Sequence, residues 1–90
     1  MSWNLYIIEA SDASLYTGIS TDVERRFEEH RSGNKGARYF NGREPLEVVY
    51  IESGHNRSSA SKREAEIKGM TRAQKKSLIA SYGAIAVDSG

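Results

Sequence analysis

The chain has 90 residues, a hydrophobic share of 38% and a formal net charge of +1, which sets it at one domain and excludes a second. No run approaches the roughly 20 apolar residues of a membrane span and no signal-peptide pattern opens the chain, so a cytoplasmic protein with no membrane partner is expected. There are no cysteines, which excludes a disulfide framework, a thiolate metal site and a cysteine nucleophile.

Charge is unevenly distributed. Residues 1–30 hold six acids and two bases, a net of −4, whereas residues 31–43 hold Arg31, Lys35, Arg38 and Arg43 with no acid, a net of +4. Residues 57–76 hold seven bases against Glu64 and Glu66, a net of +5. Two basic segments in a near-neutral protein either form one anion-facing surface or point apart as solvated faces.

Leu5 to Ile8 is rich in β formers and predicts a strand. Ser11 to Ser14 is turn chemistry, and Leu15 to Ile19 is a second strand with Leu15, Thr17 and Ile19 alternating against Tyr16 and Gly18. The short gap makes the pair a β-hairpin that brings Tyr6 near Tyr16, with Gly18 leaving space beside Tyr16 for another group. A helix over Asp22 to Arg31 follows, with Thr21 and Glu24 in capping-box spacing and Asp22 suited to the first turn. Val23 and Phe27 would seat it on the core, while Arg26 and His30, four residues apart, share a face at the edge of that apolar pair.

The next stretch, Asn34 to Arg43, is a glycine-punctuated loop with cations and two aromatics, a composition suited to a nucleic-acid strand. Pro45 leads into a third strand, Leu46 to Ile51, with Leu46, Val48 and Tyr50 expected on one face. Gly54-His55-Asn56 would break it and leave His55 as a solvated loop residue. A second helix is expected from Ser58 to Gly69 with Ala60, Glu64 and Ile67 facing the core. Glu64 on that stripe needs a cation, hydrogen-bond donors or a metal. Thr71 and Gln74 repeat the capping pattern and start a third helix ending near Ser81, and the domain spans residues 4–82 with a loose tail over 83–90.

Taken in order, Tyr6, Tyr16-Thr17-Gly18, Arg26, His30 and Glu64 resemble the GIY-YIG nuclease superfamily. Leu15 through Arg26 with His30, together with Gly36-Ala37-Arg38-Tyr39 and Arg63 through Lys68, resemble its small stand-alone bacterial members. Asn4-Leu5-Tyr6 stands where the first triplet would be, with Asn4 in place of glycine, and Thr17 replaces the middle isoleucine of the second. No match is found to the asparagine that several family nucleases carry after the glutamate. The resemblance implies an α+β fold, a small three-stranded antiparallel sheet flanked by three helices. It implies Tyr6 and Tyr16 in an active site, the latter as general base, Arg26 on the phosphate, His30 assisting with proton transfer or orientation and Glu64 holding one divalent metal, Mg2+ or Mn2+.

Those residue types suit phosphodiester hydrolysis. A carboxylate-bound cation supplies Lewis acidity, and a guanidinium matches phosphate oxygens and stays charged. A tyrosine, with an ordinary pKa of about 10, accepts a proton near neutrality only where positive charge lowers that value. Arg31, Lys35, Arg38, Tyr39, Arg43 and Lys68 are then candidate contacts to nucleic acid, expected to be DNA. The expected function is a metal-dependent DNA endonuclease, monomeric, with a place in repair or recombination. The alternatives are a catalytically weak nucleic-acid-binding accessory and a protein-binding scaffold. Glu64 discriminates: an open carboxylate favours the enzyme, and a closed bridge to arginine favours a binder or scaffold.

Overall fold

The computed structural model describes residues 2–32 and 42–88, with side chains described through Tyr82. Its elements run β1 (Trp3–Ala10), β2 (Leu15–Ser20), α1 (Val23–Ser32), β3 (Pro45–His55), α2 (Arg57–Lys68) and α3 (Arg72–Asp88). The strands form one antiparallel sheet in the order β2-β1-β3. This is the three-stranded sheet with helices expected from the sequence.

β1 is central and covered on both faces, which is why Leu5, Tyr6, Ile7 and Ile8 form an unbroken buried run. On one face Tyr6, Ile8 and Ala10 pack with Val23 and Phe27 of α1. On the other, Leu5, Ile7 and Tyr50 pack with Ile67 of α2 and with Leu78 and Ile79 of α3. The sheet is therefore a middle layer, with α1 on one side and α2 and α3 on the other.

The expected single apolar face of the third strand does not occur. Ile7 pairs with Tyr50 but Ile8 pairs with Val48, so Val49 is an extra residue in the ladder. This bulge sends Val48 to the α1 face while Val49 and Tyr50 both reach the other. Leu46 lies past a further register shift and is 55% exposed. β3 also continues through Gly54, whose φ of +83° suits a residue without Cβ.

Helix ends differ from expectation where caps compete. Asp22, not Thr21, caps α1, its Oδ1 accepting from the Arg25 N–H at 3.1 Å while its carbonyl accepts from Arg26. Asn56 caps α2 and exchanges side-chain bonds with Ser59, so that helix starts one residue before Ser58. The Thr71–Gln74 capping box forms as expected. α3 continues to Asp88, through the stretch assigned to a tail, because nothing between Arg72 and Asp88 breaks it beyond a single Gly83.

Candidate active site

The β1–β2 register sets Tyr6 opposite Gly18 and Ile8 opposite Tyr16. The hairpin thereby turns both tyrosines to the α1 face, with ring centroids 6.3 Å apart. The space expected at Gly18 exists, and the Tyr6 hydroxyl fills it. A Cβ at Gly18 would stand 2.6 Å from Tyr6 Oη and 2.7 Å from its Cζ.

Helix α1 brings the other two groups. Val23 and Phe27 seat the helix, so positions 26 and 30 turn toward the tyrosines. His30 is 3% exposed, and its Nε2 lies 3.1 Å from Tyr6 Oη. The Tyr16 ring meets the His30 ring edge-on at 5.2 Å. Arg26 hydrogen-bonds the Tyr6 hydroxyl and pairs with Glu29, Nη1 to Oε1 at 3.1 Å. A guanidinium only donates. The Tyr6 oxygen accepts from Arg26, and its contact with His30 Nε2 runs in the direction that the imidazole tautomer sets.

Electrostatics keep Tyr6 and His30 neutral beside the Arg26 charge. Burial pushes the Tyr6 phenol far above its ordinary value, and Tyr16 adds to that push against the opposing charge and hydrogen bond of Arg26. Arg26 does act to lower the Tyr6 pKa, but desolvation is the larger effect. His30 moves the other way: burial first, then the Arg26 charge, lower its pKa from 6.5 to about 4. It is a neutral acceptor near neutral pH.

Glu64 comes from α2, and its negative charge reaches Tyr6, raising that phenol's pKa less than burial and Tyr16 do. Among the described residues the ion-pair partner of Glu64 is a lysine, not an arginine. Lys68 Nζ lies 3.3 Å away, with the two side chains 25% and 55% exposed. Such an exposed i,i+4 pair is worth at most about 0.5 kcal/mol and leaves the carboxylate open to exchange. Among the described residues no group of three or more His, Cys, Asp or Glu converges as a metal cage. A lone carboxylate is still a donor set that magnesium accepts, since that ion completes its shell with water and phosphate oxygens.

The cations expected to hold nucleic acid are occupied where they are described. Arg31 pairs with Glu28 at 2.7 Å and Arg43 with Asp12 at 3.1 Å. Lys35, Arg38 and Tyr39 lie outside the described residues. Two features escaped the sequence reading. Glu29 grips Arg26, a pairing legible in their opposite charges at i,i+3. His55 is held rather than solvated, with Nε2 2.6 Å from Glu52 Oε1 and Nδ1 2.9 Å from Ser59 Oγ. Glu52 also accepts from Tyr50 and from Arg63, which joins β3 to α2 next to Glu64.

The GIY-YIG catalytic domain matches residues 2–77. A UPF0213 protein of Haloquadratum walsbyi is 53% identical over 74 residues, covering 82% of each chain. UPF0213 protein YhbQ of Escherichia coli is 45% identical over 78 residues, 87% of this chain and 77% of that one. The solution NMR structure of UPF0213 protein BH0048 from Bacillus halodurans is similar at a TM-score of 0.59 and 40% identity, covering 92% of this chain and 87% of that one. Another, of protein EF2693 from E. faecalis, gives a TM-score of 0.63 at 35% identity, covering 93% and 88%. The order of Tyr6, Tyr16, Arg26, His30 and Glu64, the sheet that gathers the first four and these matches agree, and the chain belongs to the GIY-YIG family.

Proposed function

We propose that this protein is a divalent-metal-dependent endonuclease that hydrolyses DNA phosphodiester bonds, acting as a cytoplasmic monomer in repair or recombination. The observation that carries the reading is the Tyr6 hydroxyl held between Arg26 and His30 Nε2, with the Tyr16 ring against the imidazole. Arg26 sits at the surface end of this cluster, 31% exposed, where its fork can turn from Glu29 to a phosphate oxygen. Tyr16 is half-buried and its hydroxyl orients the attacking water, whereas Tyr6, at 1% exposure, acts as a positioning residue that aligns Arg26 and His30. His30, unprotonated above its lowered pKa, accepts the proton that the attack releases. Glu64 would hold Mg2+ or Mn2+, with Lys68 released, and the ion would supply Lewis acidity to the phosphate.

The test is a cleavage assay on supercoiled plasmid, single-stranded and branched DNA, with Mg2+, Mn2+ or a chelator. Cleavage by the wild type with metal is expected, with Glu64→Gln and Tyr16→Phe slower by about 100-fold or more. Wild-type rates in Glu64→Gln would remove Glu64 from the metal role. The Lys68 cap on Glu64 favours one second reading, a nucleic-acid-binding accessory. Salt-dependent binding with no cleavage of any substrate would select it.

A further inference from the structure

The described cations first expected to hold DNA all serve internal ion pairs: Arg31 with Glu28, Arg43 with Asp12 and Lys68 with Glu64. The cations with no ion pair among the described residues lie elsewhere. Apart from Arg25 on α1 they are on α2 and α3: Lys62, Arg72, Lys75 and Lys76, with Arg57 over the Trp3 ring at 5.7 Å. From Ile67 to Val87 the sequence contains no acid at all.

Arg72, Lys75 and Lys76 stand at i, i+3 and i+4, so they crowd one side of the first two turns of α3. Like charges at these spacings repel, and cations at the positive end of a helix are disfavoured again. The first turn of α3 has no acid to offset them. Helix α1 shows the favourable arrangement in the same molecule, with Glu24 in its first turn and Arg31 in its last. A merely solvated face has no reason to carry that repulsion, and a polyanion laid across it would remove it. The patch also connects to the candidate site. Lys68 touches Glu64 and is four residues from Arg72 across the α2–α3 turn. At its other end, Lys76 lines a small cavity of about 130 Å³ with Glu9, Leu15, Val49 and Ile79, on the face of the sheet opposite the tyrosines.

We propose that Arg72, Lys75 and Lys76 grip the phosphate backbone of the DNA, and that Arg31 and Arg43 serve the protein's own architecture. The proposal rests on the nuclease reading for its choice of polyanion. Contacts of this kind are independent of base sequence and are read in the salt dependence of binding.

The experiment uses the full chain with a chelator present, so that binding is measured without cleavage. Fluorescence anisotropy with a labelled duplex across a salt series compares wild type, R72Q/K75Q/K76Q and R31Q/R43Q. The triple variant is expected to flatten the slope of log Kd against log salt by about 3, at roughly 0.9 per lost phosphate contact. Its Tm should be unchanged or higher, since the substitutions relieve repulsion. R31Q/R43Q should keep the wild-type slope. An unchanged slope in the triple variant overturns the proposal, as does a slope lost in R31Q/R43Q instead. Wild-type protein that ignores DNA and binds phosphatidylserine vesicles through these residues also overturns it, in favour of a lipid surface. DNA binding with the expected slopes but no metal-dependent cleavage would refute the nuclease reading and leave the surface standing.

Discussion

Gly18→Ala is the sharpest probe of the tyrosine cluster. The added Cβ would stand 2.6 Å from Tyr6 Oη, 2.7 Å from Cζ and 3.1 Å from Tyr16 Cε2. Carbon atoms prefer roughly 3.5–4.0 Å, so the Tyr6 ring must withdraw by about 1 Å. It has little room, being 1% exposed among Ile8, Ala10 and Val23. Overpacking of this kind costs about 1–3 kcal/mol, and moving Oη off His30 Nε2 loses a hydrogen bond worth about 1 kcal/mol. Alanine returns about 0.5–1 kcal/mol over glycine within a strand, so a net loss of about 1–3 kcal/mol is expected. Urea unfolding measures it, and a cycle with Tyr6→Phe locates its source. In the wild type, Tyr6→Phe leaves Arg26 and His30 without their shared hydroxyl. In the Gly18→Ala background that hydroxyl is already displaced, so its removal should cost about 1 kcal/mol less. Additivity of the two changes within about 0.5 kcal/mol, or a neutral Gly18→Ala, would refute the argument.

His30 should titrate near pH 4 by NMR, and Arg26→Gln should raise that value by removing a like charge. A midpoint near the ordinary 6.5 would contradict the burial argument. Because the folded pKa is depressed, the unfolded chain binds the extra proton between the two values. Stability is therefore complete above about 6.5 and falls as pH drops toward about 4, by up to about 3 kcal/mol, and denaturation at several pH values measures the loss. Asp22→Ala should cost about 1 kcal/mol and Thr21→Ala less, in the same unfolding assay, because Asp22 Oδ1 holds the Arg25 N–H. The reverse ranking would return the cap to Thr21.

The elements were legible where local chemistry decides them. β-branched and aromatic runs marked β1 and β2, Val23 and Phe27 marked the buried side of α1, and Thr71 with Gln74 marked the start of α3. The reading went astray where two local solutions compete. Thr21 and Asp22 are both good caps, and only the chain path out of β2, with Ser20 Oγ accepting from the Asp22 N–H, selects Asp22. The bulge at Val49 depends on β1 and on the helices that claim both faces of the sheet, which no alternation within β3 reveals.

The candidate site divides in the same way. Tyr6, Tyr16, Arg26, His30 and Glu64 were picked out together by resemblance to the GIY-YIG nucleases, while hairpin and helix geometry alone paired Tyr6 with Tyr16 and Arg26 with His30. What each can do chemically was not in that pattern. The depressed pKa of His30 and the raised one of Tyr6 come from burial between α1 and the sheet. Whether a cation is available depends on the carboxylate folded against it, as Asp12 is on Arg43. By itself the sequence determined the elements, the family and the residues that meet. Only the tertiary structure decided their protonation and their partners, because desolvation and ion pairing act through distances between segments far apart in the chain.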